Sequence, residues 1–391
     1  MKTEEKELFL KRCSQKIKHT HSVSDSNKWK ENRKKQLSYL FQDYSKTIAQ
    51  AKEIKKEVLN HLDNYLLAFE SKFNTEKHHL KWCVDYNDLL SETLRIIYSQ
   101  KQKSIFVMGE EMVEETGIID HLEKNEIKVN TGKSNISVVE VPFFMAKEGL
   151  VYIRTQNKEE LNCFLQAKTK ILLCSIAHVL PDIESLTLFP HLYAIHKENL
   201  LNYCYELLFS IAEQEKNEDI HILLLDNGRS NLMGNEQIRE ALACIHCGSC
   251  KKHCPIFQII GEEPYDNVFS GPIGQVVLPY LEAPETVKHL SFNSTLCGAC
   301  SEGCPLDIPL EKLMIFNRNY FYENGLMGYY GKRHVKTFFK TLKQGRVGKK
   351  LLFVQKKQLR NFLEEEKLPE EMKNFAKKSF HKQYTQQKNK R

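Results

Sequence analysis

No apolar run in this 391-residue sequence approaches the roughly 18 residues that a membrane span requires. The opening, MKTEEKELFLKRC, is too charged for a secretory leader, which leaves a cytoplasmic protein as the expectation. No nucleophile-base pair, phosphate-cradling glycine loop or dinucleotide fingerprint stands out, so chemistry on an organic substrate is expected to belong to a partner. No internal repeat appears apart from two cysteine runs. Nothing marks the chain for export, and thiols inside cells stay reduced, which argues against disulfides. With 41% hydrophobic residues, the sequence has enough apolar content for packed cores in two or three domains.

Charge is unevenly placed. The chain carries +7 overall, yet Lys332 to Arg391 alone holds 19 Lys plus Arg against 5 Glu, leaving the preceding residues net acidic. Such a basic tail suits an anionic surface, either the inner face of a membrane as a peripheral contact or an acidic partner subunit. A solvated tail is the plainer alternative. Nucleic acid is not expected, because no recognition motif accompanies the charge.

Seven of the 12 cysteines fall into the two runs, CIHCGSCKKHCP from Cys244 to Pro255 and CGACSEGCP from Cys297 to Pro305. The first has the C-x2-C-x2-C-x3-C-P spacing of bacterial ferredoxins, in which three thiolates clasp one iron-sulfur cluster and the fourth reaches to another. The second run lacks the first cysteine of that pattern, because position 294 is Ser294. The crossover rule therefore assigns Cys244, Cys247, Cys250 and Cys304 to one cluster and Cys254, Cys297 and Cys300 to a second. The first is read as a 4Fe-4S cluster. The second is either a three-iron 3Fe-4S cluster or a four-iron cluster whose last iron is held by water, Ser294, Glu302 or a residue not identified.

Zinc is the competing reading of paired C-x2-C units, but it needs four ligands per ion, which seven cysteines fit less well. Lys251, Lys252 and His253 lie where they could offset the negative charge of a cluster, or form a solvated turn. Gly248, Gly298 and Gly303 are expected to let the backbone approach inorganic sulfur, and Pro255 and Pro305 to turn the chain away. The scattered Cys13, Cys83, Cys163, Cys174 and Cys204 are read as small buried hydrophobes.

Apolar spacing predicts one long helix from Thr47 to Phe73, after a polar arm over residues 1–46. Strands are expected at Ser104 to Met108, IKV, ISVVEV, GLVYI, KILLCSI and Ile220 to Asp226. Helices are expected at LLSETLRIIYS, GIIDHLEKNE, after Asn157 and around Leu200 to Ala212. This alternation implies an α/β domain with a largely parallel sheet over residues 47–230, closed by the turn-rich Asp226 to Gln237. Helical spacing around the cysteines predicts a helical ferredoxin-type domain over residues 231–331, followed by the basic tail at 332–391.

The segments LLLDNGRS (Leu223 to Ser230), REALACIHCGSC (Arg239 to Cys250), SGPIGQVVLP (Ser270 to Pro279) and LCGACSEGCPLDIPL (Leu296 to Leu310) resemble the lactate-utilization iron-sulfur protein B family. MVEETGIIDHLEKNEIKV and AKEGLVYIRT look like pieces of that family's lactate-utilization domain. The resemblance implies an electron-transfer subunit of a complex oxidising L-lactate to pyruvate, partnered by a cysteine-rich subunit and a small lactate-utilization subunit. It also implies the same division of cysteines between two clusters. An iron-sulfur subunit of another quinone-linked oxidoreductase, of the succinate or heterodisulfide type, is the alternative. Between Val129 and Val151 the chain is shorter than typical members, so no catalytic residue is carried over; Glu148, the nearest candidate, reads as a surface loop carboxylate.

Overall fold

Thr169–Ser175 is buried at every position, the pattern of a strand covered on both faces, and it lies inside a six-stranded parallel sheet. The strands are β1 (His78–Cys83), β2 (Ser104–Met108), β3 (Lys128–Asn130), β4 (Ile136–Val141), β5 (Phe143–Met145), β6 (Leu150–Thr155), β7 (Thr169–Ser175), β8 (Val179–Leu180), β9 (Tyr205–Ser210) and β10 (Asp219–Leu225). The parallel sheet runs β1-β10-β7-β4-β2-β3. This computed structural model describes residues 35, 37–73, 78–198, 204–210, 218–265 and 267–326. Most of the polar arm, the basic tail and Cys13 lie outside the described residues.

Side chains alternate across the sheet, as the two-residue period of a strand requires. Ile171, Leu173, Leu223 and Leu225 enter one core with Leu89, Ile97 and Ile118. Leu172, Cys174, Ile222 and Leu224 enter another with Leu66, Phe69 and Phe164. The helices of this part of the chain are α1 (Tyr44–Asn60), α2 (Leu62–Glu70), α3 (Tyr86–Ser99), α4 (Glu111–Thr116), α5 (Ile118–Lys124), α6 (Lys158–Gln166) and α7 (Phe189–Glu198). Asp43 and Asp85 accept the backbone N–H three residues on at the starts of α1 and α3, satisfying donors the helix leaves unpaired. Asn157 caps α6 as expected, but Glu160 accepts from the Thr155 hydroxyl instead of closing a reciprocal capping box.

Two expectations are corrected. The single helix over Thr47 to Phe73 is broken at His61, whose φ of −131° and ψ of 34° are not helical. The apolar stripe continues through the break, but Ala51 and Leu59 of α1 pack in the core shared with the cysteine region, whereas Leu62, Leu66 and Phe69 of α2 pack against the sheet. The helix around Leu200 to Ala212 is instead β9 over its described part, and the helix lies earlier, at α7. Pairing overrides local spacing here: Tyr205 to Ser210 runs antiparallel to β6 within a second, four-stranded sheet ordered β8-β5-β6-β9.

The helical region comprises α8 (Arg229–Met233), α9 (Ser249–His253), α10 (Pro255–Ile260), α11 (Gly271–Leu281), α12 (Pro284–Val287), α13 (Ala299–Glu302) and α14 (Leu310–Glu323). Short 3-10 turns lie at Arg239–Ala243 and Lys288–Phe292. Residues 271–279 of α11 are buried all round, which makes it the central helix. Pro279 cannot donate to the Gln275 carbonyl four residues back. Ser291 Oγ supplies that bond at 2.6 Å, and Asn317 Nδ2 donates to the Val276 carbonyl at 2.9 Å. One core joins α1, β5, α7 and the helical region, through residues including Leu59, Phe143, Phe189, Leu242, Val276 and Leu313. The described residues up to Asn324 accordingly cluster as one unit, and the change from sheet to helices falls within it.

Candidate iron-sulfur site

The two cysteine runs fold into the same local shape. His246 and Gly248 flank Cys247 with φ of 55° and 66°, and Leu296 and Gly298 flank Cys297 with φ of 56° and 80°. Left-handed residues on both sides throw each cysteine outward, and glycine adopts this conformation without the penalty a Cβ brings. Each Gly then caps a short helix, α9 or α13, that carries the next cysteine, Cys250 or Cys300. The Gly248 carbonyl accepts from Lys251 N–H and the Gly298 carbonyl from Ser301 N–H, both at 3.0 Å. The runs end alike, with Cys254 and Cys304 bonded through N–H to the residue three back and followed by Pro255 and Pro305.

Side chains lock the two runs together. Ser249 Oγ donates to the Gly303 carbonyl at 2.7 Å and meets His196 Nδ1 at 3.1 Å, while His253 Nδ1 donates to the Ser249 carbonyl. A Cβ on Gly303 would stand 2.5 Å from His253 Nδ1, so glycine is required there for the approach of an imidazole.

The interlock brings Cys304 into the charge environment of Cys244, Cys247 and Cys250, and sets Cys254 beside Cys297 and Cys300. Cys247, Cys250, Cys254 and Cys300 are buried, Cys244 and Cys304 half-buried, and Cys297 exposed. Burial raises the Cys244 and Cys247 thiols well above the ordinary thiol range, Cys250 to about 12 and Cys300 to about 11, and neighbouring sulfurs add to each shift. Cys254 and Cys304 are also raised by burial, against backbone donors at Ile256 and Phe257 for the former and at Leu306 and Ile308 for the latter. A cluster that binds these sulfurs as thiolates must therefore displace protons.

Cys244, Cys247, Cys250 and Cys304 open on a cavity of about 1010 Å³, also lined by Glu111, Lys197, Phe257 and Phe269. Among the described residues, no three His, Cys, Asp or Glu side chains stand as close as ligands of a single metal ion. Cluster cysteines bind different irons and so stand farther apart. The donor set, the cavity and the repeated turn fit an iron-sulfur cluster.

The basic residues between the third and fourth cysteines are mostly engaged elsewhere. Lys251 reaches Glu262 at 3.0 Å while still lowering the Cys250 pKa, whereas Lys252 donates to the His196 and Lys197 carbonyls of α7. The charged surroundings of the cavity come from distant segments instead. His246 Nδ1 lies 2.9 Å from Glu111, Glu111 pairs with Lys197, and Lys197 also reaches Glu110. Burial opposes the Glu111 carboxylate, but His246 and Lys197 outweigh it and its pKa is lowered. Behind His246, the buried His178 ring packs edge-on at 5.3 Å, and its pKa is driven down by burial and by the charges of His246, Lys55 and Arg229. Lys55, fully buried near Cys244, is lowered by burial to about 7 and donates to the Ala177 carbonyl at 2.8 Å. No local pattern marks Glu111, His178 or Lys55; only His246, inside the first run, was in view from the sequence.

Cys83, Cys163 and Cys174 are buried as expected, whereas Cys204 is half-buried with its sulfur 3.4 Å from Glu206. Glu148 is half-buried in the turn between β5 and β6 with Oε2 shielded from solvent, in place of the expected surface carboxylate.

Residues 240–308 match the 4Fe-4S dicluster domain family, so the helical region is an iron-sulfur module. The chain is further similar to lactate utilization protein B of an Exiguobacterium species, at 29% identity over 51% of this chain and 43% of that protein. It is 32% identical to lactate utilization protein B of Bacillus thuringiensis over 49% of this chain and 41% of that protein. The match thus spans less than half the length of these curated relatives. A crystal structure of a DUF162 family protein from Deinococcus radiodurans aligns with 44% of this chain and 98% of its own, at 8% identity and a TM-score of 0.28. No described helix is long and apolar enough to cross a membrane.

Proposed function

We propose that the chain is the electron-transfer subunit of a complex that oxidises L-lactate to pyruvate. Two clusters held by Cys244, Cys247, Cys250 and Cys304 and by Cys254, Cys297 and Cys300 would supply one-electron steps between a two-electron donor and a one-electron acceptor. The observation that carries this reading is the company of Cys304: a residue of the second run lines the same cavity as the three leading cysteines of the first. That exchange is how ferredoxin-type modules bring two clusters close together. The similarity to proteins named for lactate utilization supplies the substrate.

The chain's own residues hold and insulate. Burial of Cys247, Cys250, Cys254 and Cys300 excludes water from the sulfurs, and the His246–Glu111–Lys197 chain keeps charge fixed at the cavity wall. Dehydrogenation of lactate is assigned to the cysteine-rich and small lactate-utilization partners, and the basic tail to a peripheral contact with an anionic surface. Deleting the gene should abolish growth on L-lactate as sole carbon source, with recovery from wild-type but not C304S copies. Undiminished growth of the deletion strain would overturn the assignment.

A further inference from the structure

The second cluster has three cysteines, and the repeat between the runs indicates what completes it. Superposing the runs by their turns sets Cys297 on Cys247, Cys300 on Cys250 and Cys304 on Cys254, which leaves Ser294 on Cys244. The two side chains make the same contact. Cys244 Sγ accepts from His246 N–H at 3.4 Å, and Ser294 Oγ accepts from Leu296 N–H at 3.1 Å. Each donor belongs to the left-handed residue that precedes the second position of its run. The serine oxygen thus holds the place in its loop that the first cysteine sulfur holds in the other.

We infer that Ser294 Oγ is the fourth protein ligand of the second cluster, making it a four-iron site with one oxygen ligand. This inference rests on the two-cluster reading above. Ligation would exchange the Oγ–H bond for an Oγ–Fe bond, with the proton leaving to water and no change in oxidation state. Arg318 of α14 fixes the segment and places positive charge beside it: Nε donates to the Ser291 carbonyl at 2.8 Å and Nη2 to the Ser294 carbonyl at 3.1 Å. Glu302, the other protein candidate, corresponds to Lys252, whose side chain turns to α7.

The test compares wild type, S294A and S294C purified anaerobically, by iron and acid-labile sulfide per chain and by electron paramagnetic resonance of oxidised and reduced samples. Wild type should hold about eight irons and show no three-iron signal when oxidised. S294A should fall to about seven with an oxidised three-iron signal, or lose the second cluster altogether, and S294C should restore about eight with a reduced-state spectrum unlike wild type. An S294A protein with the wild-type count and spectrum would overturn the inference, as would a three-iron signal in wild type or failure of S294C to restore the count. Wild type without iron and sulfide would instead overturn the two-cluster reading itself.

Discussion

Arg229 and Glu115 face each other through two parallel hydrogen bonds, Nη1 to Oε1 at 2.9 Å and Nη2 to Oε2 at 2.7 Å, with side chains only 4% and 6% exposed. Glu115 lies in the last turn of α4, beside the parallel sheet, and Arg229 opens α8 at the start of the helical region. Burial works against the Glu115 carboxylate, but Arg229 and Asn227 outweigh it and its pKa is lowered. The Arg229 guanidinium also lies over Phe269, which lines the cysteine cavity.

Removing one partner of a buried ion pair leaves the other charge stranded. R229A should therefore destabilise the protein by about 3–5 kcal/mol, whereas the double change R229M/E115M should recover much of the loss. Denaturant unfolding of the three proteins checks this, and equal losses in the single and double variants would contradict it.

Cys304 lies in the second run but is proposed to serve the cluster of the first three cysteines. C304S should disturb the spectrum of the cluster assigned to Cys244, Cys247 and Cys250 and spare the other. Loss of only the second cluster's signal would contradict the crossover.

Glu140 gives stability a pH dependence. Its pKa is raised from 4.5 to about 7, by burial first and then by Glu111, against N–H bonds from Glu110 and Met112. Between those values the folded chain holds a proton that the unfolded chain has released, so this group's contribution falls as pH rises from about 4.5 to about 7. The full effect is on the order of 3 kcal/mol. E140Q should flatten the decline in thermal midpoint between pH 5 and 8, and an unchanged slope would count against the buried carboxylate as its source.

Asn317 ties α14 to the proline-containing stretch of α11. Asn317→Leu would remove the bond to the Val276 carbonyl and strand the Tyr280 hydroxyl, which donates to Asn317 Oδ1 at 2.9 Å. The cost should be about 1–3 kcal/mol in equilibrium unfolding. A neutral substitution would show that water replaces the amide.

The cysteine spacing and the strands β2, β7 and β10 were legible because ligand turns and buried strands are local, continuous patterns in sequence. Tyr205 to Ser210 was not: only Phe209 is buried, so its identity as a strand comes from pairing with β6. The second sheet escaped notice for a related reason, since β5 and β8 have three and two residues. The break at His61 was hidden because the apolar stripe runs through it. Gly303 was read as space for sulfur, yet it makes room for His253, a contact across 50 residues that no spacing rule contains. Lys55, His178 and Glu111 acquire their roles only when α1, the 3-10 turn Ile176–His178 and α4 close around the first cysteine run.

Iron, zinc and acid-labile sulfide per chain, measured on anaerobically purified protein with paramagnetic resonance before and after reduction, decide whether these cysteines hold iron and sulfide. About eight irons with matching sulfide, and signals from two clusters on reduction, are expected. Stoichiometric zinc without sulfide would contradict this and leave a structural scaffold.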